Sequence, residues 1–166
     1  MHLSHQDTGR FKKELVSREL KLELDETYSK LQPSFDKVWG GLQKAPKFIM
    51  PSVWRWLLRY YHLTKNEEAL QHVKLTLRKI AMGGIYDQIG GGFARYSVDK
   101  YWFAPHFEKM LYDNGQLLRS YANAAIATGD ELFRRVARQT AEWIIREMQS
   151  PEGGYWSTLD ADSEGH

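Results

Sequence analysis

Apolar residues recur along the chain at helical rather than strand spacing. Between Thr8 and Leu31, the residues Phe11, Leu15, Leu20, Leu24, Tyr28 and Leu31 follow at intervals of three to five, which predicts one long amphipathic helix. Within it, Leu20-Lys21-Leu22-Glu23-Leu24 alternates as a strand would, but the length and the density of Glu, Lys and Leu favour helix. A second helix is predicted after Pro51, with Ser52 as its cap and Trp54, Leu57, Leu58 and Tyr61 on one face. A third starts near Asn66, turns Leu70, Val73, Leu77 and Ile80 inward, and stops at Gly83-Gly84. The fourth is expected from Pro105 to Gly129, carrying Met110, Leu111, Leu117, Leu118, Tyr121 and Ala125. The fifth runs from an Asp130 cap to about Met148, with Phe133, Val136, Ala137, Thr140, Trp143 and Ile144 inward, before Pro151-Glu152-Gly153-Gly154 breaks it.

Strand signals are short. Phe93–Val98 and Gly154–Ser157 can each form an arm of a small hairpin. The pattern is therefore all-α: antiparallel helix hairpins with one glycine-rich excursion between the third and fourth helices. No β-α-β alternation occurs, which disfavours a doubly wound nucleotide fold.

Composition narrows the function. The 166 residues suit one ordinary globular domain, with 42% hydrophobic and 27% charged residues. A net charge of +2 offers no field for nucleic acid or an anionic membrane. The absence of cysteine excludes thiol chemistry and disulfides within these residues. The stretch Met1–Asp7 lacks the apolar run of a signal peptide, and no segment approaches the roughly 18 apolar residues of a membrane span. The expected location is cytoplasmic.

Candidate chemistry concentrates between Gly83 and Asp113. Five glycines within ten residues are tolerated where the backbone must turn or be approached closely. Interleaved are Asp87, Arg95, Asp99, His106, Glu108 and Asp113 with Tyr86, Tyr96, Tyr101 and Trp102. Aromatic faces beside carboxylates and an imidazole suit a sugar, whose C–H faces stack on rings while its hydroxyls take hydrogen bonds. On a helix starting at Pro105, Asp113 falls only about 20° from His106, which predicts an acid/base His106 with Asp113 as partner, both facing one cavity. Asp87 and Glu108 are further catalytic candidates. Arg95, Tyr96, Asp99 and Trp102 are expected as substrate contacts, and Asp160 and Asp162 as carboxylates at the pocket mouth. Lys44 and Lys47 flank Ala45-Pro46 as surface charge or anion contacts. The glycine runs match no phosphate-binding motif, and the histidines have no metal-ligand spacing, so neither cofactor nor metal is expected.

Several blocks carry a family resemblance. They are Phe35-Asp36 with Gly40-Gly41, Ala45–Phe48, Met82–Phe93, Arg95–Asp99, Pro105–Asp113 and Asp160–Ser163. Together they closely resemble the YyaL-like family of thioredoxin-domain-containing proteins, which includes the spermatogenesis-associated protein 20 of animals. The resemblance spans about Phe35 to Glu164 and implies a partial (α/α) toroid of the six-hairpin glycosidase type, preceded by the helical segment 1–34. That toroid is related in fold to N-acylglucosamine 2-epimerases and cellobiose epimerases.

The resemblance further implies that a thioredoxin-like domain precedes the toroid in the family, and that these residues are the toroid's first part. A carbohydrate-directed function, epimerase- or glycoside-hydrolase-like, is the leading expectation, with these residues inactive on their own. Such epimerases use two histidines and such glycosidases a carboxylate pair; only His106 lies in the matching blocks. The alternative is a non-catalytic α/α scaffold or ligand-binding module. A homodimer through the toroid's open edge is a candidate assembly.

Overall fold

The computed structural model describes the backbone of residues 5–160 and the side chains of residues 17–160. Two compact units result, 1–34 and 35–166. The first consists of helix α1 (His5–Leu31) and a single 3-10 turn, Gln32–Ser34, fastened where Ser34 Oγ donates to Leu31 O at 2.6 Å.

The second unit contains two helical hairpins, α2 (Pro51–Thr64) with α3 (Glu67–Met82) and α4 (Leu111–Thr128) with α5 (Glu131–Trp143). Each hairpin turns over two residues, and α2 packs on α4 as α3 packs on α5. The predicted punctuation explains the tight turns. Asn66 accepts from the Ala69 N–H and Asp130 from the Leu132 N–H, while Gly129 closes α4 in the left-handed conformation. The core between the pairs is fully buried: Trp54, Leu57, Val73, Leu77, Ile80, Leu117, Tyr121, Phe133 and Trp143. Tyr121 crosses it to donate from its hydroxyl to Leu77 O at 2.7 Å.

Some boundaries differ from the periodicity. Helix α2 is started by Met50 at φ 40° with Pro51 in its first turn, so Ser52 is not the cap; proline needs no N–H there and supplies the helical φ. On that helix Tyr60, 3% exposed, is buried and Tyr61 only half-buried. Helix α5 relaxes into a π turn, Ile144–Met148.

The largest difference lies before α4, which begins at Leu111 and not Pro105. Pro105–His106 is instead a strand (β3), as are Lys47–Phe48 (β1), Tyr96–Ser97 (β2), Lys109–Met110 (β4) and Thr158–Leu159 (β5). They form an antiparallel sheet in the order β1-β2-β3 and a separate β4-β5 pair. Partners 8 and 50 residues away in sequence (Ser97 with Pro105, Leu159 with Lys109) take the backbone groups that a helix would need.

Two loops repeat one construction. In Phe35–Leu42 and again in Tyr86–Phe93, an aromatic residue bridges the apolar residue seven positions on. The intervening Asp (Asp36, Asp87) accepts two backbone N–H bonds on one oxygen and a lysine on the other, Lys47 at 2.6 Å or Lys109 at 2.9 Å. Each loop ends on a glycine of positive φ laid against an indole. A Cβ on Gly41 would come within 2.8 Å of Trp102, and one on Gly92 within 2.6 Å of Trp143. Only glycine tolerates both that conformation and that approach.

Candidate functional site

The three-stranded sheet and the first turns of α2 and α4 meet at one cleft of about 240 Å³. Its walls are Phe48 to Ser52 on one side and Arg95, Tyr112, Asp113 and Gln116 on the other. Two helix N-termini therefore open on this space, bringing partial positive charge.

Register fixes the aromatic wall. Phe48 pairs with Tyr96 and Tyr96 with His106, so the three rings share a face. Phe48 and Tyr96 lie 5.0 Å apart, and Tyr96 and His106 stack at 4.8 Å with planes 15° apart. Phe48 stands at the cleft, 41% exposed. His106 is two rungs away and does not line it. The expected His106–Asp113 face therefore does not exist: the two residues sit on a strand and on a helix respectively. His106 Nδ1 is buried with no hydrogen-bond partner among the described residues.

Asp113 is in the first turn of α4, half-buried in the cleft wall. Burial pushes its carboxyl up to about 6; the Arg95 guanidinium pulls it back and Glu108 adds to the rise. Arg95 is held from two sides. Its backbone N–H donates to Glu108 O at 2.9 Å and its guanidinium to Glu108 Oε2 at 3.2 Å. The site is thus an arginine between two carboxylates, one paired and one facing the cleft.

Other expected site residues are structural. Asp87 is saturated by Lys109 and the N–H groups of Ile89 and Gly90; burial raises its carboxyl, but these bonds outweigh it and hold it below the usual range. Asp99 accepts from the N–H groups of Tyr101, Phe103 and Ala104, with the same net lowering against burial, and so closes its own turn. Trp102 is 0% exposed and donates to Trp39 O at 2.9 Å, leaving no ring face for a ligand. Lys47 is 1% exposed and bound to Asp36, so it is not surface charge. Asp160 is exposed beyond β5, and Asp162 lies outside the described residues.

The cleft also enlists Phe48, Ser52, Tyr112 and Gln116, which local reasoning misses. Phe48 and Tyr112 lie inside the blocks that carry the resemblance, but nothing in their spacing says that they line one cleft.

No protein-family profile matches the chain. Spermatogenesis-associated protein 20 from Homo sapiens is 40% identical over 140 residues, which cover 82% of this chain and 18% of that protein. The chain thus spans less than a fifth of the length of the curated relatives it matches. Among solved structures, cellobiose 2-epimerase from Spirochaeta thermophila superposes with a TM-score of 0.73 at 20% identity, covering 89% of this chain and 41% of the epimerase. A GH76 alpha-mannanase from Bacteroides thetaiotaomicron gives 0.64 at 16% identity, over 87% of this chain and 45% of its own. At such identities the likeness establishes the fold: helix hairpins of an α/α toroid, as expected from the sequence. The chain is a homologue of the spermatogenesis-associated protein 20 proteins, matching one stretch of them, with the α/α fold used by sugar epimerases and glycoside hydrolases.

Proposed function

We propose that the cleft between α2 and α4 binds a sugar and that Asp113 is its acid/base group. The observation that carries this is the half-buried Asp113 carboxyl, raised to about 6 and open to a cleft shared with Arg95 and Phe48. A group that changes protonation near neutral pH can both take and return a proton. Arg95 and the two helix N-termini would hold an oxygen that gains negative charge, and Phe48 would stack on a C–H face of the ring. The fold shared with sugar epimerases and glycoside hydrolases supports the choice of ligand. His106 is not retained as the acid/base, because Tyr96 separates it from the cleft wall at Phe48.

A second reading, binding without catalysis, is favoured by one observation: Asp87 and Glu108 are already paired. No second unpaired carboxylate among the described residues lines the cleft beside Asp113.

Isothermal titration of glucose, mannose and cellobiose against the chain tests the binding claim. Saturable binding is expected, weakened at least about tenfold in Asp113→Asn and in Arg95→Met, the loss of one charge-assisted hydrogen bond. Sugar C–H exchange in D₂O then separates the readings. An exchange rate rising through pH 6 and lost in Asp113→Asn supports acid/base chemistry; binding without exchange leaves the module non-catalytic. No saturable binding refutes both.

A further inference from the structure

A second, larger groove of about 380 Å³ lies between α2 and the C-terminal part of α4 and shares no lining residue with the Asp113 cleft. Its floor is apolar: Leu58 is buried, while Leu63 and Ile126 are 62% and 85% exposed. Apolar side chains this open over a groove are what a docking partner covers. One rim carries Arg55, Arg59 and His62. Their spacing of four and three residues aligns them on a single ridge of α2 about 10 Å long. None of the three has an ion pair or hydrogen bond among the described residues, whereas Arg78, Arg95, Arg134, Arg138 and Arg146 all do. No Asp or Glu lines the groove. Its occupant must supply both anionic and apolar side chains, in register with two helical turns.

Helix α1 has that complement. Glu19, Glu23 and Glu26 repeat the same spacing of four and three and are exposed. Glu26 shares its charge with Lys30 at 2.7 Å, and the other two have no ion pair among the described residues. Leu22, three residues after Glu19, borders this ridge at about 60° around the helix, and it is 62% exposed; Leu20 is 51% exposed.

We infer that two copies of this chain associate by seating the Glu19–Glu23–Glu26 ridge of α1 of one copy against the Arg55–Arg59–His62 ridge and apolar floor of the other. The proposed dimer makes this contact twice, once in each direction. It is helix-in-groove recognition, with the leucines giving burial and the matched charges giving register.

Sedimentation equilibrium on the full chain at low salt tests this. A reversible monomer–dimer equilibrium that shifts toward monomer as salt rises is expected. The double variant Arg55→Glu/Arg59→Glu raises the dimer dissociation constant at least about tenfold, and Glu19→Arg/Glu23→Arg does the same. Mixing the two reversed variants restores association, because each then offers the charge that the other lacks; this also shows that neither has merely misfolded. A monomeric wild type at concentrations on the order of 100 µM overturns the inference, since a standard-size interface holds below that. So does a dimer that both reversed variants leave intact.

Discussion

Asp113→Asn should make the protein more stable, and by an amount that depends on pH. The carboxyl rises from 3.8 to about 6 on folding, with burial as the main cause. Above pH 6 the folded state therefore holds a half-buried carboxylate that the unfolded chain hydrates freely. A shift of that size corresponds to a ceiling of about 3 kcal/mol. Solvent in the open cleft screens the charge, which reduces the expected penalty to about 1–2 kcal/mol. The sign follows from linkage. The folded state binds more protons than the unfolded state between about 4 and 6, so this group's penalty is absent at low pH and grows through that window. Asparagine keeps the shape and removes the charge. Urea unfolding at pH 7.5 should show the variant about 1–2 kcal/mol more stable than wild type, with an unchanged slope against denaturant. At pH 5 the gain should be about half as large, and it should vanish near pH 4. A destabilised variant at pH 7.5, or a gain that does not change with pH, would refute the burial argument. A site residue that costs stability is also what a functional role predicts.

Three further perturbations test the frame around the cleft. Gly92→Ala should cost about 2–4 kcal/mol in thermal or urea unfolding, since its Cβ would meet the Trp143 ring at 2.6 Å from a φ of +78°; a neutral result would place the loop elsewhere. Asn114→Ala should cost about 2–4 kcal/mol, because its buried amide accepts from Phe93 N–H at 2.7 Å and donates to Phe93 O and Met110 O, all left unpaired by truncation. His72 is buried, with Nε2 against Gly41 O and its ring stacked on Phe35, and burial lowers it to about 4. Its contribution is complete above pH 6.5 and is lost as pH falls toward 4, where the unfolded chain takes up the proton first. Wild type should therefore lose about 2–3 kcal/mol relative to His72→Gln across that window, read as the difference between their unfolding curves.

How much of this was legible depends on how far apart the partners are. The caps Asn66 and Asp130 and the stops at Gly83 and Gly129 act within one turn, so local pattern finds them. The stretch Pro105–Met110 has a helical pattern too, but its backbone is claimed by strands 8 to 10 and 48 to 50 residues away, and periodicity cannot see such partners. That one misreading created the His106–Asp113 pair. Residue types are equally silent on use. Asp87, Asp99 and Asp113 have the same chemistry; the first two are consumed by neighbouring N–H groups and only the third keeps its carboxylate for the cleft. The repeated aromatic-Asp…Gly loop stands in the sequence as a fixed offset, but only the structure shows that the two copies fold alike. Phe35-Asp36 with Gly40-Gly41 and Tyr86-Asp87 with Gly91-Gly92 keep the same offset of 51 residues.

The central claim is that a sugar occupies the space between Phe48, Arg95 and Asp113. Titrating the amide-labelled chain with cellobiose and following backbone NMR shifts locates any ligand directly. The account predicts saturable shifts concentrated at Met50, Ser52, Arg95, Tyr112, Asp113 and Gln116, with the titration midpoint moved at least about tenfold higher in Asp113→Asn. Shifts confined to the glycine-rich surface around Gly84–Ile89, or none at any sugar concentration, would contradict it.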